Sequence, residues 1–368
     1  VKADGDAGCT AQPALHPFSR LPFIFTLNFL KMKVKLIFSL ILIAVATVWT
    51  ACNDDDPEPS KGKYDTGVFV VNEGPFGGSG SITWYNPDTD ETETDIFANN
   101  NNGALLGQFP QSITFHNDKA YIVVNSANRI VVVDANTFEL VDTFGGFILP
   151  RFMLVTDDNT AWVTQWGQDG LDGSVVKIDL KLGSILKTIK LGNGPDKITQ
   201  VGNRMYIPNS GGFGVDSTVS VVNLSTELEE SRLTVIGKNP CCVATLFGDL
   251  WVLCKGSFSD PLPTGYVVNL NNGVFNSTFP YGDDLLAASD NTLRWAGGGF
   301  VWKNNGGQIT GFINQQSYGL GYDKSNNHLY CADARDFSSN GQVVIYNLDG
   351  TKIDSFPVGV APGEVVLK

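Results

Sequence analysis

Short apolar runs bounded by Gly, Asn, Asp or Pro make up most of the chain, and the 3.6-residue period of an amphipathic helix is nearly absent. The runs recur in a fixed order. A short strand such as Ser112–Phe115 leads through a polar turn, Asn117-Asp118, into an aromatic strand. The aromatic strands are Ala120–Val123, Ala161–Thr164, Met205–Ile207, Leu250–Leu253 and Leu329–Ala332. After a variable loop comes a third strand closed by Asp or Asn: Val131–Asp134, Val176–Asp179, Ser220–Asn223, Tyr266–Asn269 and Val344–Asn347. The closing side chain predicts an Asx-type turn into a fourth strand such as Val141–Phe144. Pro150, Pro195 and Pro240 mark the period, each 45 residues from the next.

Four strands per unit at this period predict an all-β fold, a seven-bladed β-propeller. Blades begin near Gln111, Pro150, Pro195, Pro240, Asp284 and Tyr318. The strands Gly67–Asn72, Ser81–Asn86 and Glu93–Phe97 lack a first partner, which Gly363–Leu367 supplies. The first blade is then stitched from both chain ends, and closure protects sheet edges that would otherwise invite aggregation. The unit at 284–317 is short, which leaves six or eight blades open. Trp162, Tyr206, Trp251 and Tyr330 recur at one register of the second strand, as side chains packing between blades do.

The propeller pattern occupies residues 64–368, and what precedes it has a different character. Residues 32–51 read as a secretory leader: Lys33 and Lys35 form the basic region, Leu36 to Val48 the apolar region, and small residues precede Cys52. An apolar run of about 13 residues is short of the roughly 20 that a membrane helix needs. The arrangement resembles a bacterial lipoprotein site, with Cys52 as the lipidated residue. The triplet Asp54-Asp55-Asp56 is similar to the surface-export tag of Bacteroidetes lipoproteins. Residues 52–63 are then an acidic tether, and the protein is expected on the outer membrane, facing outward and touching the membrane through its lipid alone. Residues 1–31 show no steady period and are set apart as an upstream, unstructured extension.

Composition narrows the partners. From residue 52 onward the chain carries 20 basic and 36 acidic side chains, a formal charge of −16. Such a field repels phosphate backbones and anionic surfaces, so nucleic acid is not an expected partner. Beyond the anchor there are four cysteines, Cys241, Cys242, Cys254 and Cys331, and two histidines, with no Cys-x-x-Cys spacing. No metal site and no cofactor is expected. A Cys242–Cys254 bridge is open between neighbouring strands, although strand neighbours suit disulfide geometry poorly. No nucleophile elbow, phosphate loop or zinc-protease motif occurs, and His116 and His328 fall on turns. The sequence therefore predicts a binding protein rather than an enzyme.

In a propeller the loop into the first strand and the loop between the second and third strands open on one face. That rule gathers Asn72, Glu73 and Phe76, Asn125, Trp166, Asn209 and Phe213, Lys255 and Phe258, and Arg335, Asp336 and Phe337 around a central funnel. Arg151 and Tyr318 enter from adjoining loops. Amides and aromatics in this number suit a large polar ligand with some flat apolar area. Read singly, each Asn or Gly is more often a turn former.

The strands Tyr121–Asn125 and Tyr206–Asn209 resemble the YVTN/YncE-like propeller repeats. Val70–Gly74, Pro150-Arg151-Phe152, Tyr318–Gly321, Asp333–Phe337 and Pro362-Gly363 together resemble a narrower group, the surface lipoprotein propellers of the Bacteroidetes, which includes BtuG-like proteins. That resemblance implies capture of a large nutrient, cobalamin or another corrinoid first, and its delivery to a TonB-dependent outer-membrane transporter. A structural or adhesive propeller that binds protein or glycan is the main alternative, and a propeller hydrolase or lactonase a distant one.

Overall fold

The computed structural model describes residues 62–273, 275–305 and 308–368. The leader, Cys52 and most of the acidic tether lie outside these residues. Seven four-stranded antiparallel sheets form the ring of a β-propeller. The inner strands of blades 2 to 7 are Pro110–His116, Pro150–Val155, Thr199–Val201, Pro240–Leu246, Gly282–Ala287 and Gly319–Asp323. In blade 1 the inner strand is Pro362–Leu367, which pairs with Val68–Asn72, so both chain ends meet in one sheet. The short unit forms a complete blade, from Gly282 to Ile313.

Local chemistry explains most of the pattern. The closing Asp or Asn of the third strand makes the expected Asx turn in blades 2 to 5. Asp134 Oδ1 accepts from the Asn136 and Thr137 amides at 2.8 and 3.0 Å, and Asp179 Oδ1 from the Lys181 and Leu182 amides at 2.8 Å. Asn223 and Asn269 do the same toward Ser225 and Asn271. One expected strand is corrected. Of the expected strand 93–97 only Glu93 belongs to the first blade; its outer strand is Glu91–Glu93, and a short helix, α1, runs from Ile96 to Asn100. Asp95 sits in the left-handed region and its side chain accepts from the Ala98 amide, which starts the helix. Ile96 and Phe97 then face the core beside Trp84 and Phe138.

Apolar packing lies between adjacent blades. Trp162 packs with Val175, Met205 and Ile207, and Tyr330 with Val68, Val70 and Phe356. Tyr206 and Trp251 are half-buried at the same register. The described part of the chain engages the ring from its start: Lys63 Nζ pairs with Glu93 at 2.6 Å, and Tyr64 meets Trp84 edge-on at 5.3 Å.

Three of the prolines that open inner strands have a further effect. Just beyond Pro110, Pro150, Pro240 and the equivalent Gly282, the inner strand slips register against its partner, leaving one or two residues outside the ladder. Proline offers no amide hydrogen to the ladder and suits the first position of such a strand. The bulge re-aims the next side chains toward the axis. Inner strands are tied to each other by side chains: Ser112 Oγ donates to Arg151 O at 2.9 Å and Thr199 Oγ1 to Val243 O at 2.8 Å.

Cys241, Cys242, Cys254 and Cys331 are all free and buried. Cys254 lies opposite Pro240, whereas Cys242 lies opposite Leu253 with its sulfur against Cys241, so the open Cys242–Cys254 bridge does not form.

Closure by the last strand carries a prediction. A chain ending at Val360 leaves Val68–Asn72 without its inner partner and is expected to lose the cooperative thermal transition followed by circular dichroism. A transition kept at the full-length temperature would contradict closure through Pro362–Leu367.

Candidate functional site

Residues at the start of each inner strand, brought round by the bulges in blades 1, 2, 3, 5 and 6, surround the axis, where they form the floor of a funnel. Gln111, Arg151, Asp196, Cys241, Asp283, Tyr318 and Gly363 come one from each blade, with Glu73 and Lys255 added from second-strand ends. The floor cavity is small, about 40 Å³. Beside it a recess of about 340 Å³ is lined by Phe258, Tyr281, Gly298, Gly299, Gln316 and Phe337, and it shares Asp283 and Tyr318 with the floor.

Charges on the floor are partly matched. Arg151 Nε donates to Asp196 Oδ1 at 3.0 Å, and Lys197 Nζ to Asp284 Oδ1 at 2.7 Å. Tyr318 Oη donates to Glu73 Oε1 at 3.0 Å. Lys255 has no ion pair of its own within salt-bridge distance among the described residues, although it faces the same cavity as Asp283 and Glu73. Burial pushes the Asp283 carboxyl up to about 7, with Asp284 adding to the effect and Lys255 opposing it. Burial likewise raises Glu73, against the pull of Arg151 and Tyr318. Deeper on the axis, burial lifts Glu364 to about 7 even though it accepts from the Ile113 amide at 2.9 Å.

Aromatic pairs stand around the mouth. The Arg151 guanidinium lies 4.4 Å from the centre of the Trp166 ring, and Phe213 meets Trp166 edge-on at 5.6 Å. Phe258 stacks on Tyr281 at 4.0 Å, and Phe337 meets Tyr318 edge-on at 5.0 Å. Phe76 stands 93 % exposed near Phe109.

The expected residues thus separate into groups. Glu73, Arg151, Lys255 and Tyr318 meet on the floor; Phe258 and Phe337 line the recess. Trp166, Phe213 and Phe76 belong to the wall and rim. Asn72 and Asn209 are buried within their own blades, donating to Thr83 Oγ1 at 3.0 Å and to Thr218 Oγ1 at 2.8 Å. Asn125 donates to Pro150 O at 3.1 Å, clasping blade 2 to blade 3. These three amides are spent on structure and line neither cavity. Arg335 and Asp336 are exposed on the blade 7 loop, where Asp336 Oδ1 accepts from the Ser338 and Ser339 amides. Sequence reasoning missed Gln111, Asp196, Lys197, Cys241, Cys242 and Asp283. For three of them the signal was available: Gln111, Asp196 and Cys241 each follow a repeat proline in the register of Arg151 after Pro150, and Lys197 and Cys242 come one place later, in the register of Phe152.

A larger groove of about 480 Å³ lies at the opposite turns, between blades 2 and 3, with His116 Nε2 3.1 Å from Asp158. Its charged groups are surface side chains, so the funnel is the better-formed site.

Fold and site define a β-propeller with a charged axial floor and an aromatic mouth. The chain belongs to the family described as domain of unknown function DUF5074, whose model matches residues 66–356. No curated protein sequence matches it. Solved structures share the fold at low identity. A quinonprotein alcohol dehydrogenase-like protein from Bacteroides thetaiotaomicron is 15 % identical, with a TM-score of 0.59 over 82 % of this chain and 78 % of that one. Kuenenia stuttgartiensis hydrazine synthase is 16 % identical, with a TM-score of 0.56 over 69 % of this chain and 88 % of that one. The computationally designed Ika8 protein is 12 % identical, with a TM-score of 0.53 over 84 % of this chain and 92 % of that one.

The raised acids give the fold a pH dependence. Between the ordinary carboxylate range and pH 7, folded Asp283 and Glu364 hold protons that the unfolded chain has released. Stability from these two groups therefore falls as pH rises through that window. Acids held low by a partner, such as Asp290 beside Arg294, act in the opposite sense and mainly below it. The melting temperature is expected to be higher at about pH 5.5 than at about pH 8. Asp283→Asn combined with Glu364→Gln should flatten that slope, and an unchanged slope in the double variant would contradict the assignment.

Proposed function

We propose that this chain is a cell-surface capture protein, lipid-anchored at Cys52, whose funnel takes a large polar ligand with some flat apolar area. Cobalamin or another corrinoid is the first candidate, passed on to a TonB-dependent outer-membrane transporter. The observation that carries this reading is the joining of a ring-lined recess to a charged floor, with Asp283 and Tyr318 at the junction. Small-molecule sites span roughly 300–1,000 Å³. The recess is at the lower end of that range, so it takes one edge of a large ligand while the remainder spreads across the mouth. Phe76, Phe213, Phe258 and Leu262 stand exposed there and offer flat apolar contact. Lys255 and Asp283 supply a donor and an acceptor below. Hydrogen bonds net only about 0.5–1.5 kcal/mol each, so tight binding draws on many of them in a preformed site. The choice of a corrinoid rests on the resemblance carried by Pro150-Arg151-Phe152 and Asp333–Phe337.

Calorimetric titration of the chain from Asn53 onward with cyanocobalamin tests the proposal. One-to-one binding is expected, and Phe258→Ala or Lys255→Met should weaken it roughly tenfold, equivalent to about 1.4 kcal/mol. No heat and no shift in melting temperature for the unaltered chain would remove the corrinoid reading. Binding to a glycan or a protein in its place would favour the adhesive alternative.

A further inference from the structure

Cys241 and Cys242 are adjacent in sequence, and a regular strand would send their side chains to opposite faces. Here the register slip after Pro240 leaves Cys241 outside the ladder, with Pro240 opposite Cys254 and Cys242 opposite Leu253. A bulge turns successive side chains toward one side. Both thiols line the funnel floor, and their sulfurs are 3.2 Å apart. The Cys242 thiol also lies 3.4 Å from Asp284 Oδ1, and the Cys241 sulfur 3.7 Å from the Asp283 carbonyl oxygen. Cys254 belongs elsewhere, in the apolar layer with Val219, Val252 and Val268.

We propose that Cys241 and Cys242 are a dithiol modification site in the funnel floor, closing into an eight-membered ring disulfide by exchange with small-molecule disulfides. One thiol, reacting as its thiolate, attacks a sulfur of the small disulfide. That S–S bond breaks, a mixed disulfide forms, and one small thiol leaves. The neighbouring thiol then attacks the cysteine sulfur of the mixed disulfide and expels the second small thiol. Both cysteine protons end on the released thiols; the cysteine pair is oxidised by two electrons and the small disulfide is reduced by the same two.

Several features favour the closed form. The second step is intramolecular between sulfurs already near contact. Burial raises the Cys242 thiol well above its ordinary range, so the reduced state lacks the thiolate stabilisation that makes some dithiols resist oxidation. The narrow cavity restricts the oxidant to compact molecules, and burial makes the exchange slow. Closure also alters the site. It removes the Cys242 donor that faces Asp284 and sets an apolar S–S edge into the same wall as Lys255. The floor thus has two forms of different polarity, and this holds whatever ligand the funnel takes.

The test treats the reduced, folded full chain with bis(2-hydroxyethyl) disulfide at rising excess, quenches with iodoacetamide in denaturant, and digests with trypsin. The peptide Asn239–Lys255 carries Cys241, Cys242 and Cys254. It is expected to lose two hydrogens, with alkylation confined to Cys254 by fragment ions. Dithiothreitol should restore alkylation of all three cysteines. Cys242→Ser should end instead as a mixed disulfide on Cys241, or as an alkylated Cys241, with no loss of hydrogen. Full alkylation of the unaltered peptide at every excess, a mixed disulfide that persists in it, or a bridge that maps to Cys254 would overturn the proposal.

Discussion

Every inner strand has an edge that faces the propeller axis, where no further strand follows. Backbone amides and carbonyls on that edge need partners, and a closed ring gives each one a neighbouring blade from which to draw them. Glu364 takes the Ile113 amide, Asp284 takes the Leu320 amide, and Ser112, Thr114 and Thr199 donate to carbonyls of the next inner strand. The axis is consequently polar, and carboxylates buried there for structural reasons require cations. Lys197 answers Asp284 and Arg151 answers Asp196.

What remains after that matching lines the proposed binding site. Lys255, Asp283 and the Glu73–Tyr318 pair face a cavity too small for a whole ligand but open to the aromatic recess beside it. The proline-linked bulge is the device that produces both layers. In blade 6 it leaves Asp283 on the floor while Asp284 reaches the neighbouring inner strand, and in blade 5 it turns both Cys241 and Cys242 onto the floor. Neighbouring residues of one repeat therefore differ in place, so a substitution at Asp284 acts on the blade seam and one at Asp283 on the floor and recess.

Fold and site differed in how far they could be read from the chain. The blade plan was legible because each unit repeats the same apolar run, aromatic strand and closing Asp or Asn. The one error, at 93–97, came from an apolar pair, Ile96 and Phe97, that suits a buried helix turn as well as a strand; the Asp95 cap decided between them. In the funnel, Glu73, Arg151, Lys255 and Tyr318 were reached by the loop rule. Asn72, Asn125 and Asn209 were drawn in by the same rule, although their side chains turn back into the blades. Cys241 and Asp283 escaped because a strand's alternation does not reveal a bulge, and Asp196 because it lies ahead of its inner strand, which starts at Thr199. Lipid attachment at Cys52, outer-membrane placement and a transporter partner rest on the leader pattern and the resemblance, independently of the propeller's geometry.

The proposed capture of a ligand requires the funnel to be the face that meets it. Hydrogen exchange with and without saturating cyanocobalamin tests this directly, because it reports on every loop at once. Slower exchange is expected at residues 256–260, 281–283, 298–299 and 316–319, with the turns at 117–119, 157–160 and 181–183 unaffected. Slowing confined to those opposite turns, or no slowing at either face, would contradict it.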